Sequence, residues 1–110
     1  MKLYVATRWE NRRYARMMMF KLVEAGHTIT YDWTLNEEAS TATAQRDLQG
    51  VREADALVLL ADLPNMMGAW VEFGAAAIRG IPIYVAGNAD SRCIFLHLPN
   101  VHRGLEALLH

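Results

Sequence analysis

Ala56-Leu57-Val58-Leu59-Leu60 is the stretch whose reading decides the fold. It is a continuous apolar run with no alternation. A strand with one solvated face alternates, whereas a strand covered by helices on both faces does not. The run therefore predicts a central parallel strand over residues 56–60. Downstream, a loop over 61–67 contains Pro64, and the alanine-rich segment 68–79 predicts a helix ended by Gly80. Residues 82–86 predict the next strand. Upstream, 42–54 reads as a helix, 28–32 alternates as a strand, and 3–6 is a short apolar strand. Between the last two, Ala15, Met18, Met19, Leu22 and Val23 fall on one face of a helix predicted over 12–25, with Gly26 as its stop. Residues 33–41 are polar and irregular. Residues 92–96 predict a weak fifth strand, and 101–109 a closing helix.

Strands alternating with helices through short connections imply right-handed βαβ units on a parallel sheet. The 110 residues suit one domain, and no linker, repeat or low-complexity tract divides them. The apolar share of 53% and charged share of 21% argue for a packed core. A formal net charge of −1 provides no general attraction for nucleic acid or anionic membrane. A single cysteine, Cys93, permits no intrachain disulfide. The apolar run at residues 1–6 is too short for a signal peptide, and none nears the roughly 18 residues of a membrane span. The expected location is the cytoplasm.

In such sheets ligands bind beyond the carboxyl ends of the strands. The densest chemistry there is Gly68-Ala69-Trp70-Val71-Glu72-Phe73-Gly74. Glu72 lies about one turn into its helix, where a nearby N-terminus favours an ionised carboxylate, the form a nucleophile needs. The same dipole equally explains a glutamate with no chemical role. After the first strand come Thr7, Arg8 and Trp9. Arg8 suits a phosphate or carboxylate and Trp9 a base, or the pair belongs to an exposed loop with a packing tryptophan. Arg12, Arg13 and Arg16 follow, the last two read as a solvated face. Asp47 in the second helix and Asp62 after the third strand complete the acidic set. Asp55 stands at the amino edge and reads as structural. His27, His97, His102 and His110 lack ligand spacing, so no metal site is expected. No phosphate-binding glycine loop or nucleophile elbow occurs. A phospho-receiver layout wants an acidic pair after the first strand, where this chain has Ala6-Thr7.

Tyr4-Val5-Ala6, Gly26-His27-Thr28-Ile29, Asp47 with Val51, Ala54-Asp55-Ala56, Gly68-x-x-x-Glu72-x-Gly74-x-Ala76 and Gly80-Ile81-Pro82-Ile83 occur in that order over about residues 3–86. In this the chain resembles the nucleoside 2-deoxyribosyltransferase family and its deoxynucleotide N-hydrolase relatives. The resemblance implies a flavodoxin-like (Rossmann-like) three-layer sandwich whose five parallel strands run 2-1-3-4-5. It implies cleavage of an N-glycosidic bond, with Glu72 as nucleophile, Tyr4 orienting it and Asp47 as a second acid near the base. It also implies a subunit-completed site. The third helix is read as turning Val71, Ala75 and Ile78 inward, and the apolar residues left over, Tyr14, Met17 and Phe20 on the first helix and Trp70 and Phe73 on the third, point with the resemblance to a homodimer through these two helices. The sequence departs from the family where Ala6 is followed by Thr7-Arg8, and at Met66, six before Glu72, where a polar residue commonly meets sugar or phosphate. Asn65 or Asp62 is then the candidate for that contact. The expected substrate-binding set is Ala6, Thr7, Arg8, Trp9, Asp62, Asn65, Met66 and Gly68. The expected ligand is a small nucleoside or nucleotide, with no cofactor. The competing readings are a non-catalytic nucleotide-binding module on the same fold and an interaction domain with no small ligand.

Overall fold

The computed structural model describes residues 1–61, 66–87 and 93–110. Five parallel strands run in the order β2-β1-β3-β4-β5. They are β1 (Lys2–Ala6), β2 (Thr28–Ile29), β3 (Ala56–Ala61), β4 (Ile83–Gly87) and β5 (Val101–Arg103). Three helices connect them: α1 (Arg12–Glu24), α2 (Thr41–Glu53) and α3 (Met67–Arg79). This is the predicted Rossmann-like order. All six residues of β3 are buried, as its unbroken apolar run requires. Among the described residues, no helix is long and apolar enough to cross a membrane.

The chain steps from β1 to β2 in one direction and from β2 back across β1 to β3 in the other. Right-handed crossovers therefore put α1 on one face of the sheet and α2 and α3 on the opposite face. Tyr4 points to the α2/α3 side, where its ring meets Gly50. By the period of two, Leu3 and Val5 face the α1 side. The two helices on the Tyr4 side are tied at their far ends. The Arg79 guanidinium donates to the carbonyls of Val51 and Ala54 at 3.0 and 2.8 Å, answering the exposed C-terminus of α2. Asp55 is structural as expected, its carboxylate accepting from the Lys2 amide at 2.8 Å.

Gly50 is what lets α2 come this close to β1. A Cβ there would stand 2.9 Å from Tyr4 ring carbons and from Tyr31 Cβ. Neither neighbour is the loose end of a flexible chain. Gly50→Ala should therefore cost about 1–3 kcal/mol through forced shifts in a packed core. Urea unfolding of the variant checks this, and an unchanged midpoint would mean the contact relaxes freely.

Three expectations needed correction. The fifth strand is Val101–Arg103 rather than 92–96; residues 94–97 form a 3-10 turn, and 92 lies outside the described residues. The closing helix is absent, since 101–103 is strand and only Glu106–Leu108 makes a short 3-10 turn. The edge of β4 offers backbone groups that must be paired, and Ile83 donates to the carbonyl of Asn100 at 2.9 Å to start that pairing. Gly104, at φ +86°, then turns the chain so that Leu105 and Leu108 reach the core. Their spacing of three imitates a helix. The third correction concerns buried faces. Ala15, Met18, Met19 and Leu22 of α1 are buried but Val23 is exposed. In α3 the inward face is Ala69, Glu72, Phe73 and Ala76, whereas Val71 and Ile78 are 62% and 91% exposed.

Candidate active site at the carboxyl ends of the strands

The chain beyond β1 runs through Thr7 and Arg8 into a 3-10 turn at Trp9–Asn11. The Thr7 hydroxyl donates to the Leu60 carbonyl at 2.8 Å and accepts from Asn11 Nδ2 at 3.2 Å, which pins this loop to the end of β3. Beyond β2, Asp32 accepts from the Thr34 amide at 2.9 Å and so starts a 3-10 turn at Trp33–Leu35. Trp33 is buried there, and its indole N–H donates to the Val5 carbonyl at 2.5 Å. Helix α2 then begins in a capping box between Ser40 and Thr43. These anchored loops and the start of α3 surround an open cavity of about 590 Å³, within the range of small-ligand sites.

Glu72 lies at the base of this cavity. It is the sixth residue of α3 and only 8% exposed. Dipole effects fade within the first turn, so an exposed glutamate favoured only by the dipole is not what the fold presents. The Tyr4 hydroxyl donates to its Oε2 in a buried hydrogen bond. Asp47, half-buried on α2, lines the same cavity.

The electrostatics correct one expectation. The dipole was expected to keep Glu72 ionised, but burial pushes its carboxyl up to about 8. The Tyr4 hydrogen bond opposes this shift and the charge of Asp47 adds to it. Asp47 is also raised, by burial, against the lowering effects of its Asn36 hydrogen bond and the nearby charge of Arg46. The Tyr4 phenol is raised by burial and by Glu72. Two carboxyls with elevated affinity for protons thus share one cavity, a combination typical of sites that move protons or form covalent esters.

A CMP N-glycosidase shares this fold. The structure of BcmB from Clostridium botulinum superposes with a TM-score of 0.70 over 94% of this chain and 88% of that one, at 17% identity. At that identity the likeness is one of fold. No protein-family model and no curated protein matches the chain.

Of the residues expected from sequence, Glu72, Asp47, Thr7, Arg8, Trp9 and Gly68 line the cavity. Tyr4 stands behind Glu72 and is fully buried. Ala6 is buried at the end of β1 and Met66 just before α3; neither is among the cavity's lining residues. Asp62 and Asn65 lie outside the described residues. The arginines separate in role. Arg8 reaches the cavity. The Arg12 guanidinium sits 4.6 Å from the centre of the Trp9 ring, a cation–π contact. Arg16, expected on a solvated face, instead donates to the Thr34 hydroxyl and carbonyl at 3.1 and 3.2 Å. Among the described residues, no group of three or more His, Cys, Asp or Glu is placed to hold a metal.

Sequence reasoning missed Trp33, Asn36 and the glutamates Glu10, Glu37 and Glu38, all of which line the cavity. Residues 33–41 carry no periodicity. The available signal was a tryptophan beside Asp32 at a strand end, where an aromatic with a polar edge is well suited to a ligand wall.

Proposed function

We propose that this chain cleaves the N-glycosidic bond of a nucleoside or nucleotide, with Glu72 as nucleophile. The observation that carries the reading is the buried Glu72 carboxyl, held by the Tyr4 hydroxyl at the base of a cavity that Asp47 also lines. With the proton that the two raised carboxyls compete for placed on Asp47, Glu72 is ionised; its oxygen attacks C1′ while the C1′–N bond breaks, and that bond's electron pair leaves with the base. Asp47 gives the departing nitrogen a proton. Water then attacks C1′ of the glycosyl ester, Asp47 takes back a proton, and Glu72 is released. Two displacements retain the anomeric configuration. A second base in place of water gives transfer. Neither course needs a metal or an organic cofactor. A screen of nucleosides and their monophosphates for free base, read by chromatography, tests the reading.

One observation favours the alternative of a binding module without turnover. Met66 is 1% exposed and the Thr7 hydroxyl is spent on Leu60 and Asn11, so neither position offers the sugar a polar group. Ligand binding without base release would support that alternative.

Arg8 is the residue we assign to a 5′-phosphate, because this half-buried arginine is among the cavity's lining residues. Arg8→Ala should weaken binding of a monophosphate at least about tenfold more than binding of the matching nucleoside, a difference of about 1.4 kcal/mol. Equal losses in calorimetric titrations would remove Arg8 from that role.

We also propose a homodimer, with its interface revised by the fold. Because α1 and α3 lie on opposite faces of the sheet, one two-fold interface cannot use the outer faces of both. Met67, Val71 and Ile78 form an exposed apolar stripe on α3, and Met67 continues it to the cavity. Sedimentation should show a dimer at micromolar concentration that Ile78→Glu dissociates. A monomeric wild type would end the proposal.

A further inference from the structure

Asn36 stands between two side chains in a way that fixes its amide. Its Nδ2 donates to Asp47 Oδ1 at 3.2 Å, and its Oδ1 accepts from the Tyr31 hydroxyl at 2.5 Å. An ionised carboxylate only accepts, so the amide nitrogen belongs on the Asp47 side, and the amide oxygen is left to a donor, which Tyr31 supplies. The backbone is held as well. The Asn36 amide donates to the Trp33 carbonyl at 3.0 Å, and Trp33 is itself bonded to β1. Among the described residues, Asn36 is the hydrogen-bond donor on Asp47.

We propose that Asn36, clamped by Tyr31, is the positioning residue for Asp47: by occupying Oδ1 it leaves Oδ2 as the oxygen that carries the proton to the departing base. This inference rests on the glycosidase reading above. A carboxyl that accepts a hydrogen bond at one oxygen places its own proton on the other. The arrangement matters because Asp47 is on a helix and the base must leave along one direction. Geometry at the proton donor decides how much of general acid catalysis is realised. Among the described residues, the titratable and charged groups coupled to Asp47 are Glu72 from α3, Tyr4 from β1 and Arg46 from its own helix, while Asn36, from the segment after β2, is bonded to it and Tyr31 is bonded to Asn36 in turn. Of these, Asn36 and Arg46 favour the ionised form of Asp47. Asn36 is therefore asked to do two things, to orient the carboxyl and to keep it from holding its proton too tightly.

Two measurements test this on the full chain. The first is a ¹³C NMR titration of the Asp47 carboxyl in wild type, Asn36→Ala and Tyr31→Phe. Loss of the donor should move the Asp47 midpoint upward in Asn36→Ala, and by a smaller amount in Tyr31→Phe, which removes one oxygen and leaves the ring. Unchanged midpoints in both variants would overturn the proposal. The second compares single-turnover base release from an ordinary nucleoside and from an N7-methylguanine nucleoside, whose cationic base departs without needing a proton. Asn36→Ala should lower kcat about tenfold to a hundredfold on the first substrate and less than about threefold on the second, with KM little changed. Equal losses on both would overturn the proposal, since a merely structural role does not distinguish leaving groups. A wild type that released no base from either would sink the glycosidase reading instead, and the titration alone would then decide whether Asn36 sets the state of Asp47.

Discussion

Replacing Glu72 by glutamine should lower base release about a thousandfold or more while leaving ligand binding nearly intact. Glutamine keeps the shape of the side chain, and its carbonyl still accepts from the Tyr4 hydroxyl, so that buried contact survives. What disappears is the oxygen that can form an ester with C1′. A thousandfold loss corresponds to about 4 kcal/mol of transition-state stabilisation, a reasonable share for a covalent catalyst. Because the loss falls on the chemical step, it should appear in kcat, with ligand Kd shifting little. Rapid-quench measurement of free base, paired with tryptophan fluorescence titration of the ligand, separates the two; Trp9 and Trp33 at the cavity supply the signal. Activity above about a tenth of wild type would remove Glu72 as the nucleophile, since tenfold is only about 1.4 kcal/mol.

The same substitution should stabilise the protein, and increasingly so as the pH rises. The unfolded chain ionises Glu72 near the ordinary glutamate value of 4.5, whereas the folded chain holds the proton up to about 8. A carboxyl raised on folding contributes stability that is fully present below the unfolded value and is lost as pH climbs to the folded one. Wild type and Glu72→Gln should therefore be of similar stability near pH 4.5. They should diverge through neutrality and reach a constant difference above pH about 8. The full shift corresponds to a gain on the order of 4–5 kcal/mol for the glutamine variant. Even half of that would raise Tm by roughly 8 °C or more in a domain of this size. Asp47 is raised by burial in the same direction, but it is present in both proteins and largely cancels in the difference. Thermal unfolding of the two proteins between pH 5 and 9 gives the curve. A gap that stayed flat would show that Glu72 is not desolvated in the folded state. Together the two results would describe a group that costs stability where it sits, as functional carboxyls characteristically do.

How much of this was legible in the sequence varies from element to element. The unbroken run at 56–60 identified the central strand, because burial on both faces suppresses alternation. Gly26 and Gly80, both at positive φ, stop α1 and α3 where the pattern placed them. Arg8 and Trp9, just beyond β1, and Glu72, near the start of α3, were singled out by the topology rule without any coordinates, and Asp47 by the family resemblance; all four line the cavity.

Tertiary structure alone decided the rest, for specific reasons. Helix α3 is apolar nearly all round, so periodicity offers more than one inward face. The small residues Ala69 and Ala76 won because they let the helix approach the sheet, which aims Glu72 at Tyr4 and leaves Val71 and Ile78 outside. At 101–103, local spacing favoured a helix, and the unpaired edge of β4 overrode it. Asn36 carries no local signal; only the folding of the 33–36 segment against β1 brings its amide to Asp47. The protonation of Glu72 went the opposite way from the local argument, because desolvation depends on every neighbour brought in by the fold, whereas the helix dipole is read from one segment. Local order and strand-end chemistry are properties of short stretches of sequence; burial, facing and proton affinity are sums over contacts between residues far apart in the chain, and those sums exist only once the chain has folded.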